Sequence, residues 1–188
     1  MVMNALKFSL LLVLLSTLFT ITLCQKKELP KDLQKIFKLH KYYRNSILLC
    51  QVPGQPPAKD LENIRWSKRL AVNAQRLADK CDIKAEYFNE KLLDHYESVG
   101  QNIAEADSVK SGMEKWFRES DHYDYKANKC SKPCLNYKQM VYAKTKHVGC
   151  ATKQCKGKLM LVCNYAPASD DKEKPYEEGS KQQCVPPK

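Results

Sequence analysis

The chain has 188 residues, nine cysteines, and 32 lysines and arginines against 21 acidic residues, a formal net charge of +11. That length supports one domain with its own core. The positive charge is scattered, without a compact basic run or interleaved aromatics, which argues against a nucleic-acid groove and leaves acidic glycans, lipid head groups or simple solvation as its partners.

Lys7 precedes an apolar run from Phe8 to Leu23, and Cys24 stands before polar Gln25. A positive residue, a short apolar stretch and a small residue at its end read as a signal peptide over residues 1–24. The run is short for a membrane span and no stop-transfer pattern follows, so the expectation is a secreted protein, not an integral membrane protein. Residues 25–188 then form a single domain with eight of the nine cysteines. An even count in a secreted chain argues for four disulfides but leaves most pairings open.

Leu33, Ile36, Phe37, His40, Tyr43 and Ile47 recur at three- and four-residue steps, which predicts a helix with His40 on its inward face. The Cys50–Pro57 run, rich in proline and containing Gly54, ends that helix as a loop. Ser67 suits the N-cap of a second helix, with Leu70, Ala74, Leu77, Ala78 and Cys81 on one side. Residues 82–98 read as mostly loop with one helical turn, anchored by Tyr87, Phe88, Leu92 and Leu93. Ser108 opens a third helix running through Glu119, with Val109, Met113, Trp116 and Phe117 at helical spacing. Gly112 weakens that helix but allows close approach.

Two runs that favour strand follow: Gln139–Tyr142 with Lys146–Ala151, and Lys158–Asn164, flanking a Lys156-Gly157 turn. Glycine supplies the positive φ of a tight hairpin. That turn sets Cys155 opposite Lys158 and Cys150 opposite Cys163. Opposed positions have Cβ atoms about 4.5–5.5 Å apart and close to disulfide distance in a non-hydrogen-bonded pair, so Cys150–Cys163 is the one bridge the hairpin itself predicts. Ser169–Glu178 is charged, contains Pro175 and reads as a surface extension that Cys184 staples down. Helices first and strands later, without repeats, indicate an α+β layered domain.

Five stretches in order carry a resemblance: Leu39-His40-Lys41-Tyr42-Tyr43-Arg44, Gly100-Gln101-Asn102-Ile103-Ala104, Trp116-Phe117-Arg118-Glu119, Asn136-Tyr137-Lys138-Gln139-Met140-Val141-Tyr142 and Leu161-Val162-Cys163-Asn164-Tyr165. Together they resemble the CAP superfamily, or SCP/TAPS, of cysteine-rich secretory, antigen 5 and pathogenesis-related proteins, and within it the helminth venom allergen-like branch. The resemblance implies a disulfide-stabilised three-layer α-β-α sandwich with a central antiparallel sheet. It also implies the bridges Cys81–Cys155 and Cys130–Cys134, which leaves Cys50 and Cys184 for each other.

Such proteins line a cleft with two histidines and two glutamates. Imidazoles can hold a divalent metal, and carboxylates can orient water or act as bases. Carried over by position, the set becomes His40, Glu119, Gln101 and Asn136. Gln101 takes up no proton and Asn136 is a poor ligand for a borderline metal. The expectation is therefore a residual cleft with no catalytic residues, no metal and no cofactor, in which a His40–Glu119 hydrogen bond orients two helices. His95, His122 and His147 read as surface residues, not substitute ligands.

The resemblance implies lipid chemistry instead. Tyr123 and Tyr125 fall in a loop that relatives use for sterol, each ring offering flat apolar area and a hydroxyl. Cys130 stands where a third aromatic is expected, so the Cys130–Cys134 loop alters or rigidifies that site. A fatty-acid channel between the first and third helices would be lined by Tyr43, Val109 and Met113, with plain core as the competing reading. The functional expectation is a secreted, non-enzymatic protein that binds sterol or fatty acid. Engagement of a host extracellular protein or acidic glycan through the basic surface is the alternative, and metal-assisted hydrolysis ranks last.

Overall fold

The computed structural model describes residues 28–84, 92, 94–180 and 184. The chain divides into two compact units, Met1–Pro30 and Lys31–Lys188, and every element named here belongs to the second. The expected signal peptide and the expected anchors Tyr87, Phe88 and Leu93 lie outside the described residues. No helix among the described residues is long and apolar enough to cross a membrane.

Helix α1 (Lys31–Leu48) turns Ile36, His40, Tyr43, Arg44 and Ile47 inward, following the helical period of its sequence. Helix α2 (Lys68–Ala78) starts at Ser67, whose hydroxyl accepts from the Leu70 amide at 3.2 Å and so satisfies an N–H that the helix leaves unpaired. Helix α3 (Val109–Phe117) opens with a capping box between Ser108 and Ser111. It ends at Phe117, and Glu119 lies in the 3-10 turn that follows, Arg118–His122.

The main sheet has the strand order β1-β5-β6-β2, formed by β1 (Arg65–Trp66), β2 (Gly100–Ala106), β5 (His147–Cys155) and β6 (Lys158–Ala166). Strands β2, β6 and β5 are antiparallel, and the short β1 joins the edge in parallel. A separate ribbon pairs β3 (Tyr123–Asp124) with β4 (Lys129–Cys130). Lys156 and Gly157 both have positive φ, 46° and 85°, the pair of values that lets a two-residue turn follow the strand twist. The register sets Cys155 opposite Lys158 and Cys150 opposite Cys163. Disulfides join Cys150–Cys163, Cys81–Cys155, Cys130–Cys134 and Cys50–Cys184.

Strand β6 divides the core. Leu159, Leu161, Cys163 and Tyr165 pack with Ile36, Met113, Trp116, Tyr137 and Met140 of α1, α3 and α4 (Leu135–Val141). The intervening Met160 and Val162 pack with Ala74, Leu77 and Ala78 of α2. The strand is covered on both faces, so it reads as an almost unbroken apolar run. Helices on both sides of one sheet make the three-layer α-β-α sandwich. Two glycines allow the close fit: a Cβ on Gly149 would strike the backbone of Ser67 and Ala71 at the start of α2, and one on Gly112 would lie 2.9 Å from Leu161.

Further readings of the sequence need correction. Gln139–Tyr142 is not a strand, because Leu135–Val141 is helical and Tyr137, Met140 and Val141 are its buried face. A seven-residue run is too short for its period to decide between helix and strand. The tail is not all surface extension, since Tyr176 is buried and the Lys59 amide donates to the Glu177 carbonyl at 2.8 Å. Strand β2 has no counterpart among the expected strands. Its buried Asn102 breaks the apolar signal that Ile103 and Ala104 would otherwise give.

Candidate functional site

His40 is fully buried on α1. Its Nδ1 lies 3.0 Å from the Ile36 carbonyl one turn earlier and must carry the proton, so Nε2 accepts from the Tyr165 hydroxyl at 2.8 Å. Burial, with the nearby Arg44 charge adding to it, pulls the His40 pKa down to about 4. The Tyr165 oxygen accepts in turn from Asn102 Nδ2 at 3.3 Å, and the same amide donates to the Asn136 carbonyl at 3.0 Å. Asn136 Nδ2 donates to Glu119 Oε1 at 2.6 Å, while the Tyr137 amide donates to Oε2 at 3.1 Å. His40 and Glu119 are thus the two ends of a relay through Tyr165, Asn102 and Asn136. The direct His40–Glu119 hydrogen bond is not formed, because both imidazole nitrogens are already engaged.

Gln101 does not join this relay. Successive strand residues point to opposite faces, and Gln101 Nε2 donates to Asn164 Oδ1 at 2.7 Å. Asn164 donates onward to Asn73 Oδ1 at 2.8 Å and to the Leu70 carbonyl at 3.2 Å, both on α2. The sheet therefore separates Gln101 from the other three residues of the implied cleft. His40 also approaches the sulfurs of Cys150 and Cys163, with potential ligand atoms within 4.8 Å. Those sulfurs are joined in a disulfide and offer no thiolate, so the cluster does not suit a metal. Among the remaining histidines, His95 is exposed and His147 packs its ring 5.7 Å from that of Tyr96.

Arg44, absent from the expected site, fixes α1 to the end of α4. Its guanidinium donates to the carbonyls of Tyr142 at 2.8 Å, Met140 at 3.3 Å and Glu62 at 3.0 Å. A cation is favoured at those terminal carbonyls. Burial lowers its pKa to about 10, which still leaves it charged at neutral pH.

Tyr123 and Tyr125 are not an open aromatic loop. Each is 4% exposed. Tyr123 donates to Asn128 Oδ1 at 2.8 Å and Tyr125 to the Tyr176 carbonyl at 2.6 Å, while the Tyr125 ring stacks on that of Tyr176 at 5.1 Å. The returning tail covers Tyr125, and the Tyr123 ring packs 5.9 Å from that of Tyr137. Tyr43, Val109 and Met113 are likewise buried in one continuous core, with Tyr43 stacked on Phe117 at 4.2 Å. Helices α1 and α3 meet there through packed side chains, so the expected channel is filled.

A groove lies beside Tyr125. It measures about 1160 Å³, with Tyr125, Tyr142, Tyr176, Pro167 and Pro175 on its walls, and it carries seven acidic side chains against four lysines. Two pairs, Lys144–Glu173 at 2.7 Å and Lys59–Glu177 at 3.0 Å, brace its rim. Hydrogen bonds from Lys144 and Tyr142 hold the Glu173 carboxyl below its ordinary value. Sequence reasoning missed the groove because its walls come from segments far apart in the chain.

The profile of the family described as "CAP: Cysteine-rich secretory protein family" matches residues 37–165. Venom allergen-like protein 4 of Schistosoma mansoni superposes with a TM-score of 0.79 at 35% identity, over 83% of this chain and 100% of that one. Glioma pathogenesis-related protein 1 of Mus musculus is 29% identical over 130 residues, 66% of this chain and 51% of its own length. Peptidase inhibitor 16 of Homo sapiens is 33% identical over 155 residues, 76% of this chain and 31% of its own length. The chain thus spans about half of the first of these two relatives and about a third of the second.

Proposed function

Since the chain belongs to the CAP family of cysteine-rich secretory proteins and is of the venom allergen-like kind, we propose that it is a secreted, non-enzymatic binding protein whose ligand is a sterol-like lipid. The observation that carries this reading is the groove with Tyr125 on its wall. Its volume of about 1160 Å³ has room for a small lipid, and the edges of Tyr125, Tyr142, Tyr176, Pro167 and Pro175 border it. The surplus of carboxylates there disfavours a fatty-acid anion, and the α1–α3 channel would have to part a packed core to admit one. The reading therefore favours sterol over fatty acid.

The relay supports a role without catalysis. A general base needs a free lone pair within reach of substrate, and a nucleophile needs an activating neighbour. His40 has no free nitrogen, and Glu119 uses one lone pair of each oxygen to hold the Asn136 side chain and the Tyr137 amide in place. Secretion, with residues 1–24 removed and residues 25–188 retained as one domain, is part of the same reading. Four disulfides suit an oxidising compartment.

Titration with a fluorescent sterol tests the reading. Saturable one-to-one binding is expected, and Ala143→Trp, which fills the groove from its wall, should remove it while the circular dichroism stays native. Absence of saturable binding would overturn the lipid reading. Unchanged binding in a folded Ala143→Trp variant would overturn the groove as its location.

A further inference from the structure

The outer face of α1 joins a row of lysines to an exposed aromatic ring. Lys31, Lys35, Lys38 and Tyr42 stand four, three and four residues apart, so they form one stripe along the helix. With a rise of about 1.5 Å per residue, the three lysines span roughly 10 Å. Together with Leu39 they border a shallow groove of about 410 Å³. Tyr42 is 62% exposed, although it is large and mostly apolar.

The charge of this stripe is not balanced within the protein. Lys59, Lys110, Lys144, Lys153 and Lys158 each lie within ion-pair distance of a carboxylate, but among the described residues Lys31, Lys35 and Lys38 form no such pair. Asp32 is the only acidic residue of α1. The opposite face of the helix is fastened by His40, Arg44 and the core, so the stripe is presented on a rigid element.

We propose that this face docks the protein on a bilayer surface containing anionic phospholipid. The three ammonium groups meet head-group phosphates and carboxylates, and Tyr42 with Leu39 settles at head-group depth, where an amphipathic ring is favoured. A sulfated glycan would satisfy the lysines but leave the exposed Tyr42 ring in water, which is why lipid is the chosen occupant. Docking there needs no change in the fold and does not depend on the sterol groove.

Co-sedimentation of the secreted chain with phosphatidylcholine vesicles, with and without phosphatidylserine, tests the proposal. Each lysine near an anionic surface contributes about fivefold in affinity. The triple variant Lys31→Gln/Lys35→Gln/Lys38→Gln should therefore lose binding to phosphatidylserine vesicles by roughly a hundredfold. A control with the same charge loss, Lys110→Gln/Lys153→Gln/Lys158→Gln, should keep most of it. Tyr42→Ser should weaken binding further, and more visibly at high salt, where the lysines are screened. Equal loss in both triple variants would overturn the proposal by showing an effect of net charge alone. So would indifference to phosphatidylserine, or retention on a sulfated polysaccharide without retention on vesicles.

Discussion

Tyr165 and His40 hold each other in one protonation state: the phenol donates to Nε2 at 2.8 Å while Nδ1 is bound to the Ile36 carbonyl at 3.0 Å. A second proton on the ring would turn the acceptor into a donor facing a donor. The polar cluster around this pair is a fixed strut between α1, the sheet and α4.

The first prediction concerns acid. His40 has an ordinary pKa of 6.5 and a folded value of about 4, so between those values the unfolded chain binds the extra proton. Its contribution is fully present above pH 6.5 and is lost as pH falls towards 4, amounting to about 3 kcal/mol. Urea unfolding at several pH values, compared with His40→Gln, should show a shallower pH dependence in the variant over that window. Identical slopes would contradict the assignment.

The second concerns Glu119. Glu119→Ala leaves the Asn136 amide and the Tyr137 N–H without their acceptor and should cost about 1–3 kcal/mol. Chemical denaturation measures this directly. Sterol binding should be unchanged, since Glu119 does not line the groove.

The third concerns metal. Zinc sites need three or four protein ligands on one side of a cavity, whereas His40 is engaged, Asn136 offers only an amide already bound to Glu119 and Gln101 lies across the sheet. Neither added zinc nor a chelator should move the melting temperature. A shift of several degrees would mean that other side chains complete a site.

The fourth concerns packing. Gly149→Ala drives a methyl group into the backbone at Ser67 and Ala71 and should destabilise by about 1–3 kcal/mol or more. Gly54→Ala meets open space and pays only for its positive φ of 75°, about 1 kcal/mol. Thermal unfolding of the two variants should rank them in that order.

Much of the fold was legible because its signals are local. The Ser67 and Ser108 caps and the helical periods located three helices, and a two-residue turn at Gly157 determined an entire strand register. Helix α4 was misread because seven residues carry too little period and its burial depends on α1 and α3. The polar site was legible as a set of residues but not as a geometry. Placing His40 and Glu119 in sequence says nothing of Asn102 and Tyr165 standing between them, and the opposed faces of Gln101 and Asn102 appear only once β2 is recognised. The tail's role escaped for the same reason: nothing local in a charged stretch tells that Tyr176 stacks on Tyr125.

The disulfide between Cys50 and Cys184 joins residues 134 apart. Everything between them is a covalent ring, and the Cys81–Cys155 bridge ties the ring across its middle. A protease that cuts one peptide bond in that ring releases nothing. The nicked molecule would keep its mass on a non-reducing gel and come apart only under reductant, so it could go on binding after a first cut that would divide an uncrosslinked chain.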